Sequence, residues 1–275
     1  MLPSQPLFIL GAPRSGTTFL CCTLNRHPHI RLTNESRIFM LLKDLIDERS
    51  LRPDLLESGC RDDFRRFARS RAGGWAEQFY REALGIREPI WGDKHTSYGD
   101  PVALSGRTGA MPNAPRSGSC LRLIRDALPR AKFIHIHRHP WQVAASMKQR
   151  GWVRSMDDGV QVWRQHVSEI DAFFDELDRA SHLTLSLGDM IEQPDAVAAE
   201  TGGFLHLADA EPIARFLREQ REAPTPFSSP TSDLRQPWDA RLPERSGEQM
   251  LAHAGDMAAR LGYAAKDPKP SARPD

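Results

Sequence analysis

Short apolar runs alternate with segments of helical periodicity along most of this chain. An apolar run bounded by turn-forming or charged residues is typical of a strand buried on both faces, as strands of parallel sheets are. Such runs, or short extended pieces, occur at 7–10, 30–32, 90–94, 132–137 and 183–187. Strands that alternate with helices predict an α/β fold with a P-loop-type central parallel sheet flanked by helices on both faces.

The helical segments lie between these runs, and their apolar spacing predicts which side of each helix is buried. At 37–47 the period places Ile38, Leu41, Leu42 and Leu45 on one face. At 132–150 a buried strand is followed by a helix with Pro140 in its first turn, where proline is favoured. The other predicted helices lie at 19–26, within 50–88, and at 121–128, 158–179 and 247–261.

The length of 275 residues suits one α/β domain with a large core, and we predict a single domain over 1–263. Residues 99–119 are rich in Gly, Pro, Ser and Ala and lack periodicity, which predicts a mobile loop, either a lid or a disordered insertion. Residues 264–275 are polar and contain proline, which predicts a disordered tail.

Composition excludes several classes of function. A net charge of +1 and a pI near 7.8 make nucleic acid a poor partner. No apolar stretch approaches the roughly 18 residues of a membrane span, and the first ten residues carry no signal-peptide pattern, so we predict a cytoplasmic protein without a membrane segment. The four cysteines and ten histidines lack metal-ligand spacing, so no metal is expected. The sequence makes no prediction of oligomeric state.

The loop after the first strand, in LFILGAPRSGTTFL, is close to an NTPase phosphate loop and departs from it at one position. Gly11 and Gly16 have the spacing of G-x-x-x-x-G-K-[ST], but Thr17 stands where that pattern has lysine. The cation, Arg14, lies inside the loop instead. Such a loop can wrap one phosphate with backbone N–H groups at a helix N-terminus, but it is poorly equipped for a γ-phosphate and its metal.

Three further blocks follow this loop in order. They are His27-Pro28 with Glu35-Ser36-Arg37-Ile38, then WGDKHT at 91–96, then residues 132–148. Together with PRSGTT, these blocks resemble the sulfotransferases that use 3′-phosphoadenosine 5′-phosphosulfate (PAPS) and release 3′-phosphoadenosine 5′-phosphate (PAP). Within that superfamily the chain looks most like the tyrosylprotein sulfotransferase branch. The resemblance implies a sulfotransferase with PAPS as co-substrate and no metal.

The resemblance assigns the donor site residue by residue. It implies that Ser15, Gly16, Thr17 and Thr18 hold the 5′-phosphate, and that Arg14 reaches the sulfuryl and bridging oxygens. A generic phosphate loop for another nucleotide is the alternative.

Arg138 and Ser146 match the 3′-phosphate site of the family. Their spacing suits this role, because Arg138 follows a strand and Ser146 lies about two helical turns later. The alternative is that Arg138 is a surface cation and Ser146 a packing residue.

The same resemblance places the catalytic groups. Glu35 stands where the tyrosylprotein branch has its catalytic glutamate, and it would take the acceptor proton if partial burial raises its pKa. Its alternative role is that of an acid at a helix N-terminus. Lys94 matches the lysine that stabilises the leaving oxygen, Arg37 would orient Glu35, and His95 is an alternative base. Leu187 stands where the branch has a donor-contacting tyrosine.

The sequence therefore predicts an enzyme that moves a sulfuryl group from PAPS to a hydroxyl, with a small-molecule metabolite favoured as the acceptor. Tyrosine sulfation of a peptide or protein is the alternative within this chemistry. Two other classes remain open, a nucleotide kinase or NTPase and a non-catalytic binder of phosphoadenosine nucleotides. The missing loop lysine disfavours the first, and the presence of Arg14, Glu35 and Lys94 disfavours the second.

Overall fold

A five-stranded sheet forms the centre of the protein. The computed structural model describes residues 3–47, 58–101, 118–222 and 254–263. The sheet has the strand order β2-β3-β1-β4-β5, and every neighbouring pair is parallel. This arrangement confirms the predicted α/β fold with a central parallel sheet. The strands are β1 (Gln5–Leu10), β2 (Ile30–Asn34), β3 (Ile90–Lys94), β4 (Lys132–His137) and β5 (His182–Ser186).

Helices cover both faces of this sheet. A π-helical turn follows α3 at Phe79–Ala83, and 3-10 turns lie at Thr96–Gly99 and Arg179–Ser181. The α-helices in the described ranges are α1 (Thr17–Leu24), α2 (Ile38–Ile46), α3 (Ser58–Gln78), α4 (Leu121–Ala127), α5 (Pro140–Gln149), α6 (Met156–Phe174), α7 (Leu187–Glu192), α8 (Pro194–Leu205), α9 (Glu211–Glu222) and α10 (Asp256–Arg260).

Alternate residues of the central strand divide the core in two. Phe8 and Leu10 face one apolar cluster, which includes buried residues of α2, α3, α4 and α6. Leu7 and Ile9 face the other, which includes buried residues of α1, α7, α8 and α9. The period of two in a strand explains the alternation, and burial on both sides explains why β1 is a continuous apolar run. The core thereby holds rigid the strand that leads into the phosphate loop.

The buried face predicted for α2 is wrong in part. Leu41 is 62% exposed, whereas Phe39, Met40 and Ile46 are buried together with Leu42. Both sets fit a helical period, and the choice between them depends on what packs against the helix. Phe39 lies edge-on to the Phe8 ring at a centroid distance of 5.5 Å. In the observed orientation, α2 therefore makes an aromatic contact with the central strand of the sheet.

Later elements differ more from the prediction. The helix predicted at 158–179 begins at Met156 and ends at Phe174, and Ser155 and Asp158 form a capping box at its start. The strand predicted at 183–187 ends at Ser186, and Leu187 begins α7. Three helices, α7, α8 and α9, were not predicted from the sequence. Most of the predicted loop at 99–119, part of the helix at 247–261 and the tail at 264–275 lie outside the described residues.

None of the helices in the described ranges is both long and apolar enough to cross a membrane. No group of three or more His, Cys, Asp or Glu residues in those same ranges is arranged to hold a metal ion.

Candidate active site

The phosphate loop joins the carboxyl end of β1 to the start of α1. Gly16 is the N-cap of α1 and has a φ of 97°, a left-handed conformation that favours glycine. A Cβ atom on Gly16 would lie 2.8 Å from Leu187 Cδ1, so a side chain here would also clash with the start of α7. Gly16 has no side chain to cap α1, which leaves the first N–H groups of the helix available to an anion. This local structure fits the predicted 5′-phosphate site.

The hydroxyl residues of the loop are enclosed rather than exposed. Ser15 is fully buried and its N–H donates to Ala12 O at 3.1 Å. Ser15 Oγ makes no hydrogen bond within the described part of the protein, and buried polar atoms without a partner are uncommon. Thr17 is 4% exposed and Thr18 is half-buried. The loop therefore presents mainly backbone donors.

Arg14 leaves the loop in a left-handed conformation, with φ 71°, and approaches α5. Its Nε donates a hydrogen bond to Ser146 Oγ at 3.0 Å, so the loop cation and one residue of the predicted 3′-phosphate site lie together. Its guanidinium carbon is 5.9 Å from the centre of the Trp152 ring, which is 58% exposed. Burial and the nearby charge of Arg150 lower the pKa of Arg14.

Left-handed backbone conformations concentrate around this site. In the described ranges, four residues other than glycine have positive φ, and three of them are Arg14 at 71°, Glu35 at 67° and Arg37 at 64°. The fourth, His206, caps the end of α8. Such conformations cost about 1–3 kcal/mol each and cluster at functional sites. Three of the four left-handed residues therefore lie within the sequence blocks that carry the resemblance.

Glu35 and Lys94 form an ion pair at the ends of adjacent strands. The register of β2 and β3 places Asn34 opposite Lys94, and Glu35 N–H donates to Lys94 O at 2.8 Å. Lys94 Nζ in turn donates to Glu35 Oε1 at 2.8 Å. The side chain of Lys94 is 2% exposed and that of Glu35 is 43% exposed. A buried cation thereby holds a carboxylate that still reaches solvent, as a residue that meets an acceptor must.

The pKa of Glu35 differs from the expectation. Burial raises it, but the hydrogen bond and charge of Lys94, with smaller effects of His95 and Arg37, outweigh burial and lower the pKa overall. The expectation of a raised pKa is therefore wrong. At neutral pH the carboxylate is ionised, which is the form that can accept a proton.

Asp93 positions the loop that carries Glu35, a role that the sequence pattern did not indicate. This buried carboxylate accepts hydrogen bonds from Thr33 Oγ1 at 2.6 Å, Ser36 Oγ at 2.7 Å and Tyr98 OH at 2.8 Å. It also accepts from the Ser36 N–H at 3.2 Å. Thr33 and Ser36 bracket Glu35, so Asp93 fixes both sides of the turn. The adjacency of Asp93 to Lys94 in WGDKHT was the available signal.

His95 lies close to this pair, but its surroundings do not suit a base. Its Nδ1 accepts a hydrogen bond from Ser97 N–H at 3.1 Å, which places the ring proton on Nε2. Nε2 is buried and makes no hydrogen bond to any described residue. Burial is also the largest of the effects that lower the pKa of His95. A nitrogen that already carries a proton and does not reach solvent cannot take one from an acceptor, so the geometry favours Glu35.

Arg138 and Ser146 lie along one side of α5. Arg138 follows β4, is 7% exposed, and donates from Nε to Gln142 Oε1 at 2.9 Å. Gln142 and Ser146 are four residues apart and therefore share a helical face. Arg138 is thus not an exposed surface cation, and Ser146 is engaged by Arg14 rather than packed in the core. The two guanidinium groups, from Arg14 and Arg138, contact the same helix.

These features stand at the carboxyl ends of the strands, where open α/β sheets bind their ligands. A model of the sulfotransferase family matches residues 6–211. The chain belongs to the sulfotransferase family. The matched range includes each of the predicted site residues. The family as a whole supports sulfuryl transfer as the reaction, and placement in the tyrosylprotein branch stays a prediction.

Solved structures of other sulfotransferases share the fold. The sulfotransferase domain of the Synechococcus PCC 7002 olefin synthase is 17% identical, with a TM-score of 0.65, and 96% of each chain is covered. The sulfotransferase domain from the curacin biosynthetic pathway is 15% identical, with a TM-score of 0.56, over 94% of this chain and 98% of that one. Mouse sulfotransferase SULT7A1 complexed with PAP is 14% identical, with a TM-score of 0.54, over 95% and 89%. No curated protein sequence matches this chain.

Proposed function

We propose that this sulfotransferase moves a sulfuryl group from PAPS to a hydroxyl acceptor. The observation that carries the proposal is the ion pair of Glu35 and Lys94 at the carboxyl edge of the sheet. The register that places Ile9 of β1 opposite Lys94 brings this pair level with the start of the phosphate loop. A base and a cation are therefore available on the same edge as a phosphate site.

The donor is proposed to lie across the loop and α5. The N–H groups of the loop and of the start of α1 suit the 5′-phosphate, and Arg138 with Ser146 suits the 3′-phosphate. PAPS supplies the activated sulfuryl group, and mouse SULT7A1, which shares the fold, is complexed with PAP. Arginine is suited to bidentate recognition of phosphate, which supports Arg138 in this role.

The residues around the reacting atoms have separate roles in sulfuryl transfer. Glu35, ionised and half-exposed, accepts the proton of the acceptor hydroxyl. Lys94 and Arg14 place positive charge where negative charge develops on the leaving oxygen, as in phosphoryl transfer. Asp93 holds the turn that carries Glu35. An NTPase would instead require the loop lysine that Thr17 replaces.

The acceptor is proposed to be the hydroxyl of a small molecule. The olefin synthase and curacin domains, whose names refer to the biosynthesis of small molecules, support this choice. A tyrosine in an acidic peptide is the second candidate. Exposed Arg37 lies close enough to Glu35 to affect its pKa, and this positive charge would favour an acidic peptide.

Nucleotide binding tests the donor assignment. We expect wild-type protein to bind PAP more tightly than 5′-AMP in isothermal titration calorimetry. Arg138→Ala should weaken PAP binding by about 2–4 kcal/mol, the scale of a lost charge-assisted contact, while barely changing the affinity for 5′-AMP. Arg130→Ala, just before the opposite end of β4, is the matched control and should change neither affinity.

Because Arg138 is buried, the melting temperature of each variant is measured on the same preparation. Equal losses for PAP and 5′-AMP in Arg138→Ala would refute the 3′-phosphate assignment. Transfer is followed by mass spectrometry of candidate hydroxyl acceptors incubated with PAPS, with and without EDTA. A strict requirement for Mg²⁺, restored by titration, would favour an NTPase instead.

A further inference from the structure

Tyr263 lies at the end of the last described helix, and a backbone motif sets its position. Gly262 N–H donates to Ala259 O at 3.0 Å, and Tyr263 N–H donates to Ala258 O at 2.8 Å. Gly262 has a φ of 79°, so α10 ends in a Schellman motif. This motif turns the chain at the end of α10, and Tyr263 follows the turn directly. The helix itself contacts α6, and Arg260 is paired with Asp171 at 2.7 Å.

The side chain of Tyr263 contacts both neighbours of Arg138. Its hydroxyl is 2.7 Å from His137 Nδ1, and its ring lies edge-on to the His137 ring at 5.3 Å and 80°. It also lies edge-on to the His139 ring at 5.0 Å and 77°. Arg138 stands between these two histidines in the chain. One aromatic side chain therefore packs against the residues on either side of the arginine assigned to the 3′-phosphate.

Ser186, at the end of β5, lies near the same hydroxyl. Ser186, whose Oγ accepts from Gly188 N–H at 3.1 Å at the start of α7, lies close enough to Tyr263 to affect the pKa of Tyr263. Burial raises the pKa of Tyr263, and burial lowers the pKa of His137 to about 4. Both side chains are neutral at pH 7, so Tyr263 keeps its proton and can donate a hydrogen bond to His137 Nδ1. The hydrogen bond between Tyr263 and His137, at the end of β4, is thus one between two neutral groups.

Arg138 also makes contacts through its carbonyl oxygen and its Nε. Its carbonyl oxygen accepts from Trp163 Nε1 at 3.0 Å, and its Nε donates to Gln142 at 2.9 Å. Trp163 and Ala258 belong to the same apolar cluster, so α10 also supports the residue that holds the Arg138 carbonyl. The end of α10 therefore contacts the surroundings of Arg138 on two sides.

We propose that Tyr263 is a positioning residue that holds Arg138 in place, so that preference for a 3′-phosphorylated nucleotide depends on the segment that carries Tyr263. The inference rests on the proposed donor. A hydrogen bond and two ring contacts at the neighbours of Arg138 restrict the backbone of Arg138. A pre-oriented guanidinium binds phosphate more tightly than one that must be ordered on binding.

Selectivity between two nucleotides is the measurement that separates positioning from folding. The ratio of Kd for 5′-AMP to Kd for PAP is determined by calorimetry on the full chain. We expect Tyr263→Phe, which keeps the ring and removes the hydroxyl, to lower this ratio about three- to tenfold, the scale of one hydrogen bond. Arg260→Gln is the matched control, because it breaks the ion pair of α10 with Asp171 and leaves Tyr263 in place. Its ratio should equal that of the wild type.

A second variant tests the same hydrogen bond from the other side. His137→Leu, which removes the hydrogen-bond acceptor, should lower the ratio to a similar extent, and the double variant should lower it no further than either single variant, because coupled partners are not additive. The variant at His137 still tests the hydrogen bond if Tyr263→Phe proves insoluble.

An unchanged ratio in Tyr263→Phe or in His137→Leu, or a ratio lowered equally by Arg260→Gln, would overturn the inference and leave the proposed donor intact. A wild-type protein without preference for PAP would instead overturn the proposed donor itself.

Discussion

Removal of the Lys94 ammonium should move the acidic limb of the pH–rate profile. Lys94→Met keeps the length of a side chain that is 2% exposed and removes its charge. Burial raises the pKa of Glu35, and Lys94 makes the largest contribution to the effects that outweigh burial and lower that pKa, so the pKa should rise when Lys94 is removed. Because a general base acts only when ionised, the pH below which kcat/KM falls should rise with it.

The size of the shift follows from the geometry of the pair. Charges 2.8 Å apart interact by about 1.5 kcal/mol at the dielectric constant of water and about 6 kcal/mol at an effective value of 20. The Glu35 side chain is 43% exposed, so solvent screening places the interaction near the lower end, at about 1.5–3 kcal/mol. At 1.36 kcal/mol for each pH unit, the acidic limb should rise by about one to two pH units.

The assay is kcat/KM for sulfuryl transfer between about pH 4 and 9 at saturating donor. Besides the moved limb, the plateau in Lys94→Met should fall by about 10²–10³, the scale of losing one group that stabilises transition-state charge. Lys43→Met is the matched control, because Lys43 forms an ion pair of similar length, 2.9 Å, with Asp47 on α2. Its profile should coincide with that of the wild type.

Glu35→Gln completes the comparison, because it cannot accept the proton. We expect kcat to fall by about 10²–10⁴ and the acidic limb to disappear, with little change in donor Kd. A limb that stays at its wild-type pH in Lys94→Met would show that Glu35 is not the titrating base, whatever happens to the plateau.

Two further predictions concern stability. Asp93→Asn should lower the free energy of unfolding in urea by about 2–4 kcal/mol, because the amide of Asn cannot accept all the hydrogen bonds made to the buried carboxylate. A loss below about 1 kcal/mol would contradict this hydrogen-bond network. The protein should also lose stability as the pH falls below about 6.5, by up to about 4 kcal/mol per pH unit. The cause is that three buried histidines stay neutral in the folded protein and take up protons when it unfolds. A melting temperature that stays constant from about pH 7.5 to 5.5 would contradict this prediction. Burial lowers the pKa values of these residues to about 3 for His135 and about 4 for His137 and His139.

Local pattern predicted the strands and the phosphate loop well. β4 runs over residues 132–137 as expected, and α1 (Thr17–Leu24) begins two residues before the helix predicted at 19–26. Strands buried on both faces carry a continuous apolar run, and Gly11 and Gly16 limit where the loop begins and ends. Both signals are contained in a few consecutive residues. The sequence alone therefore determined the fold class and the phosphate loop.

Tertiary packing decided the rest, since it depends on residues far apart in the chain. Leu41 of α2 is exposed although it fits the apolar period, because the choice of face depends on the sheet beneath. The lowered pKa of Glu35 depends on Lys94, 59 residues away, which reaches it only because β2 and β3 are neighbours. Tyr263 approaches His137 across 126 residues. Such contacts follow from strand order and helix packing, and the local periodicity of the sequence does not encode either of them.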